Sequence, residues 1–385
     1  MKTRVMIVSN TLAEGGAERW ASFMACHLGF ETCEMTLVLF RRQIDYPCPG
    51  QVQVECLEHH STLHTLRTVG RLRQLFAKTE PDVVISNGNY TAQFVGQAVR
   101  KVPVRWIARF SGNIEHSNRT LAQQLGWLWL DRNIGRSETL VANSEGVRGD
   151  IRQRWPHLES RMKTIRNGVN VQQTLSQAQR VAALKPLIVA AGRLAEQKRP
   201  DIFVDAIRLL LRRLEETGQP REVEVVWCGD GPLREKTQNQ IESLGLTDIV
   251  KLIGFREDLH QWLAKASCFV LTSDHEGSPN VLIEAMAIGT PVISTNCPFG
   301  PAELIGDDRG WLVPVGDSPA IAHALKEVLS SRHEAEQRSN AASDWVRGHA
   351  SSGRVMSDWQ SLIASEGSAP TGSAPVAKNP LVGSV

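Results

Sequence analysis

The strongest constraint on the fold is an alternation that runs along almost the whole chain. Short β-branched or apolar runs are separated by longer amphipathic stretches. In the first half, strands are predicted at 4–9, 33–40, 83–86, 104–110, 139–142 and 162–165, with helices at 17–28, 62–78, 91–100, 121–135 and 146–154. The second half repeats the scheme with strands at 187–191, 223–228, 249–252, 268–271, 291–294 and 310–313, and helices at 199–217, 233–244, 259–265 and 280–287. This βαβα order calls for parallel sheets with helices over both faces, so the expected class is α/β, with two doubly wound Rossmann-like sheets.

A chain of 385 residues exceeds one ordinary core at about 150 residues per domain. The boundary is expected at 171–185, giving domains at 1–177 and 178–345. Residues 335–363 carry Trp345, Val346, Val355, Met356, Trp359 and Leu362 at helical spacing. The tail, 365–385, is rich in Gly, Ser, Ala and Pro and buries too little surface to offset its ordering entropy, so it is expected to be disordered.

Several function classes are disfavoured. The apolar runs fall short of the 18 or so residues that span a bilayer, and the N-terminus enters a strand with no signal-peptide pattern. The expected location is the cytoplasm. The seven cysteines are scattered without a CxxC pair, and there is no HExxH or metal-holding Asp-x-Asp, so no metal is expected. Gly229 and Gly231 begin a dinucleotide fingerprint, but Arg234 stands where the third glycine belongs. A net charge of +2 and no reading motif argue against nucleic acid. Charge is uneven, however: residues 1–180 hold 23 Lys and Arg against 15 Asp and Glu, which suggests that the first half meets something anionic.

Five segments carry candidate chemistry. Gly15 and Gly16 follow the first strand and open a helix, whose free N–H groups favour an anion; Glu18 and Arg19 fall in its first turn. Arg193 and Lys198 lie in the loop after the second half's first strand, at the end where open parallel sheets bind ligands. Two cations there suit a diphosphate leaving group. The Gly229–Gly231 turn reads as a tight turn near the site. Gly254 and Phe255 offer backbone and a ring edge to a flat base. In the most informative segment, Glu276, Gly277 and Ser278 precede Pro279 and a helix that holds Asn280, Val281, Leu282 and Glu284. Its N-terminus suits phosphate, and the two glutamates are strong acceptors for hydroxyls of one ligand.

Together these segments resemble the retaining glycosyltransferases of family 4, which have the GT-B fold. The resemblance runs over nearly all of residues 1–363, through Gly15–Gly16–Ala17–Glu18, Asn143–Ser144, Asn167–Gly168–Val169, Gly192–Arg193–Leu194, Lys198, Gly229–Asp230–Gly231–Pro232, Gly254–Phe255 and the Glu276-to-Glu284 segment. It implies a nucleotide-sugar donor held mostly by the second domain, with Arg193 and Lys198 on the diphosphate and backbone around Asn280–Leu282 supporting it. Glu276 would meet the donor sugar and Glu284 the ribose. A final helix, 346–364, would cross back onto the first domain. Such enzymes usually need no metal, and the leaving phosphate helps deprotonate the acceptor.

Two departures stand out. Arg109 occupies about the place where many relatives carry a histidine, with His116 further on, and Arg109 is a candidate for an anionic acceptor or phosphate but not a base. Ser278 replaces a bulkier apolar residue beside the donor sugar. The 294–305 run is similar to the subgroup that builds surface polysaccharides and lipid-linked oligosaccharides, implying a UDP-sugar donor and a saccharide or polyprenol-linked acceptor. The basic amphipathic stretch 62–78, with Arg67, Arg71, Arg73 and Lys78, and the pair Trp127 and Trp129 suggest peripheral contact with an anionic membrane at its cytoplasmic face, although such stripes more often face a core. A nucleotide-sugar epimerase of similar fold and an inactive nucleotide-sugar-binding partner remain as alternatives.

Overall fold

The computed structural model describes residues 2–13, 15–59, 65–112, 121–170, 185–218 and 222–365. Residues 171–184 of the predicted boundary at 171–185, residues 62–64 of the predicted helix 62–78, His116 and the tail from 366 lie outside them. Seven strands form the first sheet: β1 (Thr3–Ser9), β2 (Cys33–Leu39), β3 (Gln53–Cys56), β4 (Val83–Asn87), β5 (Arg105–Phe110), β6 (Thr139–Ala142) and β7 (Met162–Thr164). Six form the second: β8 (Leu187–Ala191), β9 (Glu224–Cys228), β10 (Val250–Gly254), β11 (Cys268–Leu271), β12 (Val292–Thr295) and β13 (Trp311–Val313). The orders are β3-β2-β1-β4-β5-β6-β7 and β10-β9-β8-β11-β12-β13. All strand pairings are parallel.

The helices of the first half are α1 (Gly16–His27), α2 (Thr65–Thr79), α3 (Asn89–Ala98), α4 (Leu121–Asn133) and α5 (Glu145–Arg154). Those after β8 are α6 (Pro200–Glu216), α7 (Arg234–Ser243), α8 (Leu259–Lys265), α9 (Asn280–Ile288), α10 (Pro301–Ile305), α11 (Ser318–Ser330), α12 (Arg332–His349) and α13 (Ser352–Ala364). Period-two alternation sends each strand's apolar side chains to two cores. Met6 and Val8 enter one face of the first sheet, Val5 and Ile7 the other. Ile188 and Ala190 part from Leu187, Val189 and Ala191 in the same way.

The region expected as one helix is two. α12 adds Ala342 and Val346 to the second sheet's core, and Ala350, just past its end, joins them. The chain then breaks at Ala350–Ser351, beside Val169, whose N–H donates to Ala350 O at 2.9 Å and whose carbonyl accepts from Ser352 N at 2.9 Å. α13 covers the first sheet with Val355, Met356, Trp359, Leu362 and Ile363. Trp359 is fully buried and its ring lies 5.0 Å from that of Trp20. Trp359→Ala is expected to cost about 3–5 kcal/mol, read as a lowered midpoint in urea. A loss below about 1 kcal/mol would show that α13 is dispensable to the first half.

The basic stretch is tied to the protein. Val69, Leu72 and Phe76 of α2 lie in the core, and Trp127 is buried there too. Arg71 donates to Leu57 O at 2.6 Å, Arg73 to Gln97 O at 2.8 Å and Lys78 to Glu55 at 3.1 Å. The stripe read as membrane-facing is therefore largely a core stripe. Among the described residues no helix is long and apolar enough to cross a membrane.

Candidate active site

In the second sheet the strand order reverses between β8 and β11, so a ligand crevice opens beyond their C-terminal ends. The two loops that leave these strands carry the predicted cations and the first predicted carboxylate. They are stitched together: Asp274 N donates to Gln197 O at 2.9 Å, Gln197 Nε2 to His275 O at 2.6 Å, and Thr272 Oγ1 to Lys198 O at 2.7 Å. As a result Lys198 Nζ donates to Glu276 Oε1 at 2.5 Å, and Ser273 Oγ donates to the same oxygen at 2.6 Å. Glu276 is 8% exposed at its side chain and Lys198 17%, so the pair is largely desolvated. Glu276 is fixed along its backbone too, donating to Pro298 O at 2.6 Å and accepting from Phe299 N at 2.8 Å. Arg193, five residues before Lys198 in the same loop, is exposed.

α9 starts directly after Pro279, with no side-chain cap. The amides of Asn280 and Val281 have no partner within the helix. Leu282 differs: its N–H already donates to Pro279 O at 3.1 Å and its side chain is buried, so two backbone donors face the loop rather than three. Glu284, one turn in, forms an ion pair with Arg19 from α1. Burial pushes the Glu284 carboxyl above the usual range, while the Arg19 guanidinium pulls it back. Arg19→Met is therefore expected to raise that pKa further. If the Glu284 carboxylate binds nucleotide, acid loss of binding then begins at higher pH in the variant than in the parent. A calorimetric pH series in which the two acid limbs coincide would separate Arg19 from Glu284.

The first half closes on this site. Gly15 caps α1 with φ 130°, and a Cβ on Gly16 would lie 3.6 Å from Asn280 Nδ2. A Cβ on Gly277 would lie 1.9 Å from Ser111 O, so the loop meets the opposite backbone directly. Asn167 Nδ2 donates to Asn280 Oδ1 at 2.7 Å and to Ser278 O at 3.3 Å. Glu303 of α10 accepts from the N–H groups of Glu145 at 3.0 Å and Gly146 at 2.7 Å, capping α5 from across the molecule.

Arg109 departs from its expected place on a ligand. It is fully buried, its terminal nitrogens donate to Asn87 Oδ1 at 2.7 Å and Asn167 Oδ1 at 2.8 Å, and it lies 4.3 Å over Trp20. Burial lowers its pKa to about 9, against the Glu18 carboxylate, so it is charged at neutral pH. It does not open on the crevice; it orients Asn167, which reaches the α9 start. Gly254 ends β10, and its carbonyl accepts from Gly229 N at 2.7 Å; Phe255, the next residue, is 71% exposed. They lie two strands from the switch point, on the side of the Gly229 turn. Among the described residues no three His, Cys, Asp or Glu side chains converge as metal ligands would.

Sequence reasoning missed Asn87, Ser273 and the reach of Glu303. Nothing local to Glu303 signals that the helix it caps begins more than 150 residues earlier.

The first half matches the family model Glycosyltransferase Family 4 over residues 14–173, and the second matches Glycosyl transferases group 1 over residues 171–345. The chain is 26% identical over 373 residues to a Campylobacter jejuni GalNAc-alpha-(1->4)-GalNAc-alpha-(1->3)-diNAcBac-PP-undecaprenol alpha-1,4-N-acetyl-D-galactosaminyltransferase, covering 94% of this chain and 98% of that one. It is 24% identical over 333 residues to the N-acetylgalactosamine-N,N'-diacetylbacillosaminyl-diphospho-undecaprenol 4-alpha-N-acetylgalactosaminyltransferase of the same organism, covering 83% and 88%. Among solved structures, Anabaena HepE in complex with UDP and glucose aligns with a TM-score of 0.77 at 18% identity, over 94% of this chain and 100% of that one. Sucrose-phosphate synthase from Thermosynechococcus elongatus aligns at 0.80 and 16% identity, over 94% and 98%.

Proposed function

Because the chain belongs to the group 1, family 4 glycosyltransferases of GT-B fold, we propose that it transfers a hexose or N-acetylhexosamine from a UDP-sugar to a saccharide or polyprenol-linked acceptor of a surface glycan. Transfer proceeds with retention, with Arg193 and Lys198 in place of a metal ion. The observation that carries this reading is the desolvated Lys198–Glu276 pair at the β8/β11 switch point, beside the start of α9.

In this reading the diphosphate lies against the Asn280 and Val281 amides, with Arg193 and Lys198 on its oxygens. Glu276 Oε1 is held by Lys198 and Ser273, which leaves Oε2 to accept from a donor-sugar hydroxyl. Glu284 exchanges Arg19 for the ribose hydroxyls. As the bond from the anomeric carbon to the phosphate oxygen breaks, negative charge grows on that oxygen where the cations stand. The acceptor hydroxyl attacks from the same face and its proton passes to the leaving diphosphate, giving a product of unchanged anomeric configuration. A membrane-held acceptor is compatible with exposed Leu66, Arg67, Leu125 and Leu128 on α2 and α4.

The test is transfer from a panel of UDP-hexoses and UDP-N-acetylhexosamines, in EDTA, to an N-acetylgalactosamine linked to a short prenyl diphosphate. The expected product is one α-glycoside per UDP released, identified by NMR. An epimerised UDP-sugar formed without acceptor favours the epimerase, a β-linked product contradicts retention, and activity only after metal is restored contradicts the role given to Arg193 and Lys198.

A further inference from the structure

The donor chemistry leaves unused a feature at the cleft end of the first sheet. There the strand order reverses between β1 and β4, so a second crevice opens beyond their C-terminal ends. Tyr90 stands in the first turn of α3, three residues past Asn87, the last residue of β4. Asn87 donates to Ala17 O at 2.7 Å, and the adjacent Gly16 borders Asn280. Tyr90 therefore lies on the edge that faces the donor loops.

Tyr90 is 42% exposed, yet it is held in place. Its Oη lies 2.8 Å from Nε2 of His59, a buried residue whose Nδ1 lies 2.7 Å from Thr68 Oγ1. Phe40 and Phe94 meet the ring nearly edge-on, at centroid distances of 5.7 and 5.2 Å. An aromatic ring fixed before binding gives contact area with little loss of conformational entropy, and the apolar C–H face of a sugar ring suits it. Arg41, exposed just beyond β2, is close enough for its charge to act on the Tyr90 hydroxyl. Its backbone N–H donates to Asn10 O at 3.0 Å, which fixes it to the loop after β1.

We propose that Tyr90 is the stacking platform for the acceptor sugar, and that Arg41 faces an acidic group, phosphate or carboxylate, which the acceptor carries beside that sugar. The inference rests on the glycosyltransferase reading, but its test is separable because it reads the first half alone. The chain has two tyrosines, Tyr46 and Tyr90, so full-length protein labelled with 3-fluorotyrosine shows two fluorine resonances, assigned with Tyr46→Phe. The probes are methyl N-acetyl-α-galactosaminide, its 6-uronate analogue, N-acetylgalactosamine linked to farnesyl diphosphate, farnesyl diphosphate alone and UDP.

The Tyr90 resonance is expected to move with the sugar-bearing probes and to stay in place with UDP or farnesyl diphosphate alone. Arg41→Ala is expected to weaken the acidic sugar probes about tenfold relative to the neutral sugar. A loss with the diphosphate probe identifies the group as phosphate, and one with the uronate as carboxylate. Tyr90→Ala is expected to raise the acceptor KM about tenfold while UDP affinity stays within about twofold. A Tyr90 resonance unmoved at saturating sugar, or moved by UDP alone, overturns the proposal, as does an Arg41→Ala effect equal for neutral and acidic sugars. Absence of UDP binding counts against the donor site, whereas the Tyr90 response to sugar is read independently of it.

Discussion

Lys198→Ala is expected to lower turnover by about 10²- to 10³-fold, the usual effect of removing one preorganised group from a developing oxyanion. The same substitution also acts on stability. It leaves the Glu276 carboxylate, 8% exposed, with Ser273 as its remaining side-chain donor. A buried charge without its counter-ion costs about 2–3 kcal/mol here, because one hydrogen bond survives and the Lys198 side chain is itself 17% exposed. The two effects separate in the double variant Lys198→Ala, Glu276→Gln. Its melting temperature is expected to recover, since a neutral amide tolerates the site, while UDP affinity, which does not involve the sugar-facing Glu276, stays low. Recovery of UDP affinity along with stability would mean that Lys198 holds Glu276 and does nothing for the diphosphate.

Gly277→Ala is expected to reduce kcat by about 10²-fold while UDP affinity stays within about threefold. The added Cβ would fall 1.9 Å from Ser111 O, a backbone atom of the opposite half that cannot turn aside. Gly277 does not have a positive φ, so the loop itself accepts alanine without backbone strain. The clash is relieved by holding the halves apart, and a displacement of about 1 Å between reacting groups is enough for the expected loss. Gly229→Ala is a useful contrast. Its backbone has φ 144° and its Cβ would meet Gly192 O at 2.1 Å, both within the second half, so it damages folding rather than closure. Calorimetry with UDP and kcat at saturating donor distinguish the two. An unchanged kcat in Gly277→Ala would mean that the closed arrangement is not the reacting one.

The alternation of strand and helix was readable because most of the parallel strands bury both faces and are followed by a helix. The elements missed lack one of those signals. β3 is a sheet edge whose Gln53 is exposed, so Gln53–Cys56 shows no apolar run. α10 has only five residues. α11 was announced by Asp317, which accepts from Ala320 N at 2.8 Å, and by Pro319 in the first turn, a cap that local reading passed over. Within the candidate site, Arg193, Lys198, Glu276 and Glu284 could be named because each follows a strand or opens a helix at a fixed offset. Their pairing could not. Lys198 finds Glu276 and Arg19 finds Glu284 only once the sheets have brought distant loops together. Arg109 shows the opposite limit: its motif position suggested a ligand contact, and burial between Asn87, Asn167 and Trp20 makes it a support for the α9 start.

The central claim is a metal-independent nucleotide-diphosphate site on the second half. The most direct measurement is calorimetric titration of the full chain with UDP, GDP and ADP, with and without EDTA, beside Lys198→Ala and Glu284→Ala. The account predicts that UDP binds selectively, that EDTA leaves its affinity unchanged, and that both substitutions weaken it. Binding by none of the three nucleotides, or binding by both variants as tight as by the parent, would contradict it.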